Sequence, residues 1–393
     1  MKAPILSPSL TYLLDKISDS GYRADIVGGC VRDFLLSREC SDYDVTTNAT
    51  PTVIKEIFKN DKTVDTGIKH GTVSVIVDGE QYEVTTYRLD GEYIDSRHPK
   101  SVTFTAELRE DLARRDFTMN AICYSKAHGF YDPFDGRGDI EKRIIRSVGD
   151  PVRRFSEDAL RILRAIRFRA TLGFEIEAQT RAAIHTLAPR LLNISRERVL
   201  VEWRKLLAGA YAYDVLCEYP DVIALIIPEL AELALPSRAH FDSADPFVKG
   251  VALFAGLDSP SEKYESAQRS LHADNRAISL GKTVLENIHK PINDKRSALH
   301  LLSKIGEESA RILIGVKTVL LEDCIALSAL DSIIKSGEPY RLSDLKINGN
   351  DLLALGIRGE RVGRLLTEAL SLVIDGKIEN EKGALLTFIT ENA

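Results

Sequence analysis

The apolar pattern of this 393-residue chain changes period once, close to Ser156, and that change limits the possible folds more than any motif does. Before it, short β-branched runs alternate with short helical segments. After it, strand signals disappear, and Leu, Ala, Ile and Arg recur with helical spacing almost to the end. A doubly wound sheet needs strands and helices alternating throughout, so the pattern predicts an α+β chain: a mixed head over residues 1–150, then an elongated all-α part. The length suffices for two or three domains.

Within the head, "ADIVGG" reads as a strand running into glycines and "CVRDFLLS" as the helix that follows. "TVSVIVDGEQYEVTTYR" reads as a β-hairpin turning at Asp78-Gly79, with Glu83 on its second strand. "LDGEYIDSRHPKSVTFTAELRED" reads as a mobile loop with a short extended piece. Past the change of period, "SEDALRILRAIRFRATLGF" is expected to form one helix with Ser156 as N-cap and Gly173 at its end. The breaker-rich stretches "ALPSRAHFDSADP" and "GLDSPSEK" divide the helical part further.

No apolar run approaches the length of a membrane helix, and residues 1–17 lack a cleavable signal pattern, so a cytoplasmic protein with no membrane partner is expected. Five scattered cysteines, without C-x-x-C spacing, suggest neither a disulfide framework nor a zinc site. The net charge of -6 argues against a generally basic surface, but from Arg137 to Arg169 ten Lys/Arg face five Asp/Glu. That local excess is either a solvated helix face or a patch for an anionic partner.

The chemistry concentrates in "VGGCVRDFLLSRECSDYDVTT". Asp42 and Asp44, two apart on an extended segment, project to one side because strand side chains alternate. Adjacent carboxylates repel unless a cation lies between them, and Mg²⁺ or Mn²⁺ suits oxygen ligands. Gly28 and Gly29 fall where a strand gives way to a helix, so backbone N–H groups could approach an anion without a Cβ in the way; Arg32 and Asp33 follow on the first turn. Paired metal carboxylates beside a phosphate cradle are the parts of phosphoryl or nucleotidyl transfer. Glu83 is either a third acidic group or a solvent-facing strand residue. The chain contains no Walker pattern, strand-anchored G-x-G-x-x-G, H-E-x-x-H or His-Asp dipeptide, which argues against P-loop, dinucleotide-binding, zincin and phosphohydrolase chemistry.

Five motifs in order, "GGCVRD", "SDYDVTT", "EDLARRDFTMNAI", "YDPFDGRGDI" and "SEDALRILRAIRFRA", resemble those of the class II tRNA nucleotidyltransferases, the CCA-adding enzymes and bacterial poly(A) polymerases of the polymerase-β superfamily. The resemblance spans roughly residues 21–207. It implies a polymerase-β-like head with a small mixed sheet, a neck at 151–210, a body at 211–305 and a tail at 306–393. It also implies that Asp42 and Asp44 bind catalytic Mg²⁺ and that Gly28, Gly29 and Arg32 hold a triphosphate, and Glu83 is the candidate third catalytic carboxylate. Arg115, Asp116 and Asn120 match positions that contact the nucleotide and its ribose. Asp158 and Arg161 match the pair that reads the incoming base, and Arg164 and Arg167 match positions approaching the nucleotide.

The base-reading role has a chemical argument of its own. A carboxylate only accepts hydrogen bonds and a guanidinium only donates them. Cytosine and adenine both present an amine donor beside a ring-nitrogen acceptor, which such a pair can accept, whereas uracil and guanine reverse the pattern. If Asp158 and Arg161 share a helix face, they form either this reader or a surface ion pair. Arg161, Arg164 and Arg167 recur every third residue and predict a basic stripe opposite Leu160, Leu163 and Ile166. "LLALGIRGERVGRLL" resembles a helix-hairpin-helix, the alternative being a simple helical hairpin.

The implied activity is addition of C, C and A to the 3′ end of tRNA from CTP and ATP, with the helical part gripping acceptor and T stems. An intact loop around Arg97-His98-Pro99 favours full CCA addition over CC addition. Poly(A) polymerase, a partial CC- or A-adding enzyme and an RNA-binding protein with an inactive head are the competing readings.

Overall fold

The computed structural model describes residues 4–40, 42–68, 71–91 and 102–392. The chain divides into two compact units, Met1–Ile226 and Ile227–Ala393.

The first unit begins with α1 (Pro8–Asp19), started by the Ser7 hydroxyl accepting from the Leu10 N–H at 3.2 Å. Its buried Leu10, Leu13, Leu14 and Ile17 follow the i, i+3, i+4, i+7 rule of a helix with one apolar face. Next come β1 (Ala24–Val27), α2 (Gly29–Leu35), β2 (Asp44–Thr47), α3 (Pro51–Ile57), β3 (Lys62–Gly67), β4 (Thr72–Val77) and β5 (Glu80–Thr86). The strands β6 (Arg88–Asp90) and β7 (Val102–Phe104) form a separate antiparallel pair. They precede α4 (Leu108–Ala113), β8 (Cys123–Ser125), β9 (Gly129–Tyr131) and α5 (Gly136–Lys142).

Seven strands make one mixed sheet in the order β3-β4-β5-β2-β1-β8-β9, with β2 and β5 parallel and the other neighbours antiparallel. The expected β4–β5 hairpin is present, with Asp78 and Gly79 both at positive φ, as a two-residue primed turn demands. Val45 and Val84, opposite one another on the parallel pair, are fully buried; each stabilises the sheet by roughly 1.5–3 kcal/mol. Val27 of β1 and Cys123 of β8 join Tyr87, Leu108, Leu112, Ala121 and Val148 in an apolar cluster, which fixes the end of β1 where the glycines begin.

The helical part of this unit holds β10 (Ile144–Ile145), α6 (Pro151–Glu157), α7 (Leu160–Leu172), β11 (Glu175–Ile176), α8 (Ala178–Leu187), α9 (Arg196–Leu207), α10 (Ala212–Glu218) and α11 (Pro220–Ile226). The single helix expected from Ser156 is instead two. α6 starts at Asp150, whose side chain accepts from the Val152 N–H, with Pro151 at the first helical position, and Ser156 lies inside its last turn. At Asp158 the backbone is extended (φ -140°, ψ 104°), and α7 starts two residues later. The expected end at Gly173 holds: φ is +67°, and a Cβ there would come within 2.4 Å of the Tyr211 ring. A short parallel β10–β11 pair also interrupts the helices, a two-residue strand at Glu175–Ile176 that the helical periodicity conceals.

The second unit is helical: α12 (Arg238–Ser243), α13 (Pro246–Ala252), α14 (Pro260–Ser270), α15 (Asn275–Glu286), α16 (Lys295–Val319, broken at Gly306), α17 (Leu327–Lys335), α18 (Gly349–Ala354), α19 (Glu360–Ile374) and α20 (Lys382–Asn392). "LLALGIRGERVGRLL" runs from α18 into α19 through Gly356 and Gly359, both at positive φ. No helix among the described residues is long and apolar enough to cross a membrane.

Candidate active site

Asp44 opens β2, paired with Val27 of β1 on one side and in register with Glu83 of β5 on the other. Side chains of in-register neighbours stand on the same face, so sheet pairing delivers Glu83 beside Asp44, a placement that resolves the two sequence readings of Glu83 toward proximity. Asp42, Asp44 and Glu83 are all exposed. Even so, the surrounding protein desolvates the Asp44 carboxylate and raises its pKa; Arg115 pulls it down, and Asp42 adds to the rise. Glu83 is raised too, first by desolvation, then by the negative charges of Asp44 and Asp42. None of the three is held in an ion pair among the described residues. Neighbouring carboxylates with no ion-pair partner, and only Arg115 near Asp44 to offset their charge, fit a divalent cation. The described residues contain no set of three His, Cys, Asp or Glu side chains positioned by themselves to hold a metal ion. Mg²⁺ is commonly held by only one or two carboxylates, with substrate phosphates and water completing its shell, and Asp42 and Asp44 could supply that number.

Gly28 is the N-cap of α2 at φ +83°, a conformation that favours glycine. A Cβ there would lie 2.9 Å from Arg115 Nη1 and 3.7 Å from Asp44 Oδ2, so the carboxylate and the guanidinium both close onto bare backbone. The expectation that the Gly28 amide faces an anion needs correcting, because its N–H donates to the Ile122 carbonyl at 3.3 Å; Gly29, inside the first turn of α2, begins the amides that remain for a ligand. Arg115 is steered by the fully buried Asp111, 3.9 Å from its Nη2, and its buried Nε has no hydrogen-bond partner among the described residues.

Beside this edge lies a polar network that joins three of the motifs. Arg32 donates to both oxygens of Asp33, at 2.9 and 2.8 Å, and to Asn120 Oδ1 at 2.8 Å. Asn120 Nδ2 donates to Asp116 Oδ1 at 3.0 Å. This is the only amide orientation that works, since the guanidinium can only donate and the carboxylate can only accept. Asp116 Oδ2 takes Arg164 Nε at 2.8 Å, Glu202 Oε1 lies 3.8 Å from Arg164 Nη1, and Glu202 Oε2 accepts from Arg167 Nε at 3.0 Å. Burial alone would raise the Asp116 pKa, but Arg164, Asn120 and Arg161 hold the carboxylate well below the usual range.

Asp158 and Arg161 do not share a helix face, because the extended backbone at Asp158 separates α6 from α7. The reason is local: Asp158 Oδ1 accepts from the Leu160 N–H at 3.0 Å, a side-chain turn that competes with helix and restarts it. Nor do the two form the alternative ion pair. Asp158 Oδ2 binds Arg198 at 2.8 Å, while the buried Arg161 donates to Glu157 and to the carbonyls of Arg154 and Arg114. These bonds engage three of the guanidinium N–H groups, leaving donors for a base edge.

The expected basic stripe is likewise corrected. Arg161 is buried, Arg164 and Arg167 are half-buried, and each is matched by a carboxylate, whereas Leu160, Leu163 and Ile166 pack inward as expected. Sequence reading missed Asp111, Glu157, Arg198 and Glu202. The spacing of Asp111 to Arg114 and Arg115 in "EDLARR" was an available signal. Glu202 and Arg198 reach partners 35 and 40 residues away, beyond any local pattern. The loop core Arg97-His98-Pro99 lies outside the described residues.

Three family models match in succession: a poly A polymerase head domain over residues 24–146, a probable RNA and SrmB-binding site of polymerase A over 173–233, and a putative tRNA nucleotidyltransferase domain 2 over 250–389. A CCA-adding enzyme of Enterococcus faecalis is 35% identical over 387 residues, covering 96% of this chain and 94% of that protein. One from Geobacillus thermodenitrificans is 36% identical over 406 residues, covering 97% and 96%. Among solved structures, the Bacillus stearothermophilus CCA-adding enzyme in complex with CTP superimposes with a TM-score of 0.80 at 31% identity, covering 98% of each chain.

Proposed function

This chain belongs to the CCA-adding enzyme family, a nucleotidyltransferase family, and from that premise we propose that it adds C, C and A in turn to the 3′ end of tRNA, drawing on CTP and ATP. The observation that carries the reading is the juxtaposition, where β1, β2 and β5 meet, of carboxylates without ion-pair partners with a glycine turn and an arginine network. The full-length relatives, rather than the name of the head-domain model, favour CCA addition over poly(A) synthesis.

In this reading the RNA 3′-hydroxyl attacks the α-phosphate in line and pyrophosphate leaves, with no covalent enzyme intermediate. Asp42 and Asp44, with Glu83 beside them, would hold Mg²⁺, which when bound supplies Lewis-acid stabilisation of phosphoryl oxygens. Gly29 and Arg32 hold the triphosphate, with Gly28 keeping the turn clear of a Cβ; Arg115, Asp116 and Asn120 hold the nucleotide and its ribose; Arg164 and Arg167 approach it from α7. The arginines rest on Asp33, Asp116 and Glu202, so an arriving triphosphate competes for guanidinium groups already aimed and neutralised. Asp158 and Arg161 read the base edge with their remaining acceptors and donors. The neck at 151–210 carries base recognition, and the body at 211–305 and tail at 306–393 grip the acceptor and T stems through phosphate charge and helix shape.

Incubating the protein with Mg²⁺ and tRNA lacking its 3′ end, plus CTP, ATP or both, tests the reading. Incorporation of C without ATP, completed by a single A when ATP is added, is expected. Long A tails would instead establish a poly(A) polymerase, and no incorporation would leave an RNA-binding protein.

A further inference from the structure

Phe168, on α7, is a buried aromatic residue at the centre of the arginine network. The guanidinium carbon of Arg167 lies 3.5 Å from its ring centroid, that of Arg32 5.0 Å and that of Arg164 5.6 Å. All three are within the range in which a cation is attracted to an aromatic ring. Phe117 meets the same ring edge-on, at 5.7 Å and 85°, and restricts its plane. One ring thus adjoins cations from α2 and from two successive turns of α7.

The carboxylates that accompany these arginines sit on different elements: Asp33 on α2, Asp116 after α4, Glu202 on α9. A bound triphosphate would compete with them for the guanidinium N–H groups. When phosphate oxygens take over the guanidinium N–H groups, the carboxylates stop defining where the guanidinium planes lie. The ring has no hydrogen bond to lose to an anion, so its attraction survives the exchange. Resting on the nucleotidyl-transfer reading above, we propose that Phe168 is a positioning residue that keeps Arg32, Arg164 and Arg167 aligned for the triphosphate, both before and after the nucleotide arrives.

The test is the nucleotide dependence of C and A incorporation by Phe168→Leu, together with site-specific replacement of Phe168 by mono-, di- and trifluorinated phenylalanines. The fluorinated rings keep shape and apolarity while draining the negative face. In Phe168→Leu, KM for CTP and ATP should both rise roughly 5- to 30-fold, the loss of one or two such contacts, with kcat changed less than about threefold. Across the fluorinated series KM should climb with each fluorine while the melting temperature stays constant, which a packing role would not produce. An unchanged KM throughout the fluorinated series, whatever happens to the leucine variant, overturns the proposal. Should the unaltered protein incorporate neither C nor A, the function reading falls instead.

Discussion

The carboxylate edge and the arginine network lie in the same unit and treat charge in opposite ways. Asp42, Asp44 and Glu83 are exposed, crowd one another and have no ion-pair partner among the described residues; desolvation first, and their mutual repulsion second, make Asp44 and Glu83 titrate high, with Arg115 opposing at Asp44. Arg32, Arg164 and Arg167 are buried or half-buried, and each is matched by a carboxylate within 3.0 Å. The first arrangement is incomplete until a cation arrives. The second is complete in the free protein and exchanges its anions for those of the substrate. Preorganising cations for a triphosphate therefore costs the fold little, whereas the crowded carboxylates carry a desolvation and repulsion cost that only a bound cation would relieve.

The comparison breaks first at the carboxylates. Asp42→Ala or Asp44→Ala should reduce nucleotide incorporation by roughly a thousandfold or more, while thermal unfolding stays within about 0.5 kcal/mol of the parent or rises as repulsion is relieved. Turnover close to the parent in either variant would remove the metal-site assignment.

Asp116→Asn should do both kinds of damage, lowering kcat/KM by roughly a hundredfold and stability by about 2–3 kcal/mol, because Arg164 loses its charged partner. The sign of the pH dependence follows from the depressed folded pKa of Asp116: its contribution is complete above the unfolded carboxylate pKa of about 4 and is lost as pH falls toward the folded value. Melts of parent and variant should differ by a constant amount from about pH 7 to 5 and converge in stronger acid; a gap that widens on acidification contradicts the pairing.

A smaller effect is expected at Arg161, where Arg161→Ala should narrow discrimination of CTP and ATP against UTP and GTP by roughly tenfold with less effect on tRNA affinity. Equal selectivity in parent and variant would leave Arg161 a purely structural link to Glu157 and the Arg114 carbonyl.

The smallest concerns acid inactivation. Since the active carboxylates are ionised and Asp44 titrates high, the acid limb of the rate profile should lie above the ordinary carboxylate range of about 4. Added salt should not move it down, because the opposing charge of Arg115 that salt screens outweighs that of Asp42, and desolvation, the largest cause, is unaffected. A limb at or below about 4, at low salt, rules out the crowded-carboxylate account.

What was legible in the sequence is local in origin. The glycine turn after β1, the Asp78-Gly79 hairpin and the stop at Gly173 each depend on residues a few positions apart, whose dihedral preferences act without help from the rest of the chain, whereas only Asp44 of the expected carboxylate pair lies on β2. The misplaced helix start at Ser156 had a local remedy too, since Asp150-Pro151 is the stronger start signal. The pairings that complete the site are of another kind. Arg32 meets Asn120 across 88 positions, Arg164 meets Asp116 across 48, and Arg198 takes Asp158 across 40. Periodicity carries no information about such partners.

The chain alone determined which residues carry charge, where backbone turns, and that a mixed sheet precedes a helical body, because propensity and apolar period are properties of neighbouring residues. Only the tertiary structure decided that Glu83 stands beside Asp44, that the arginines of α7 are neutralised rather than displayed, and that Phe168 lies among them. Burial forces each charged group to find a partner, and that partner is set by which elements pack together.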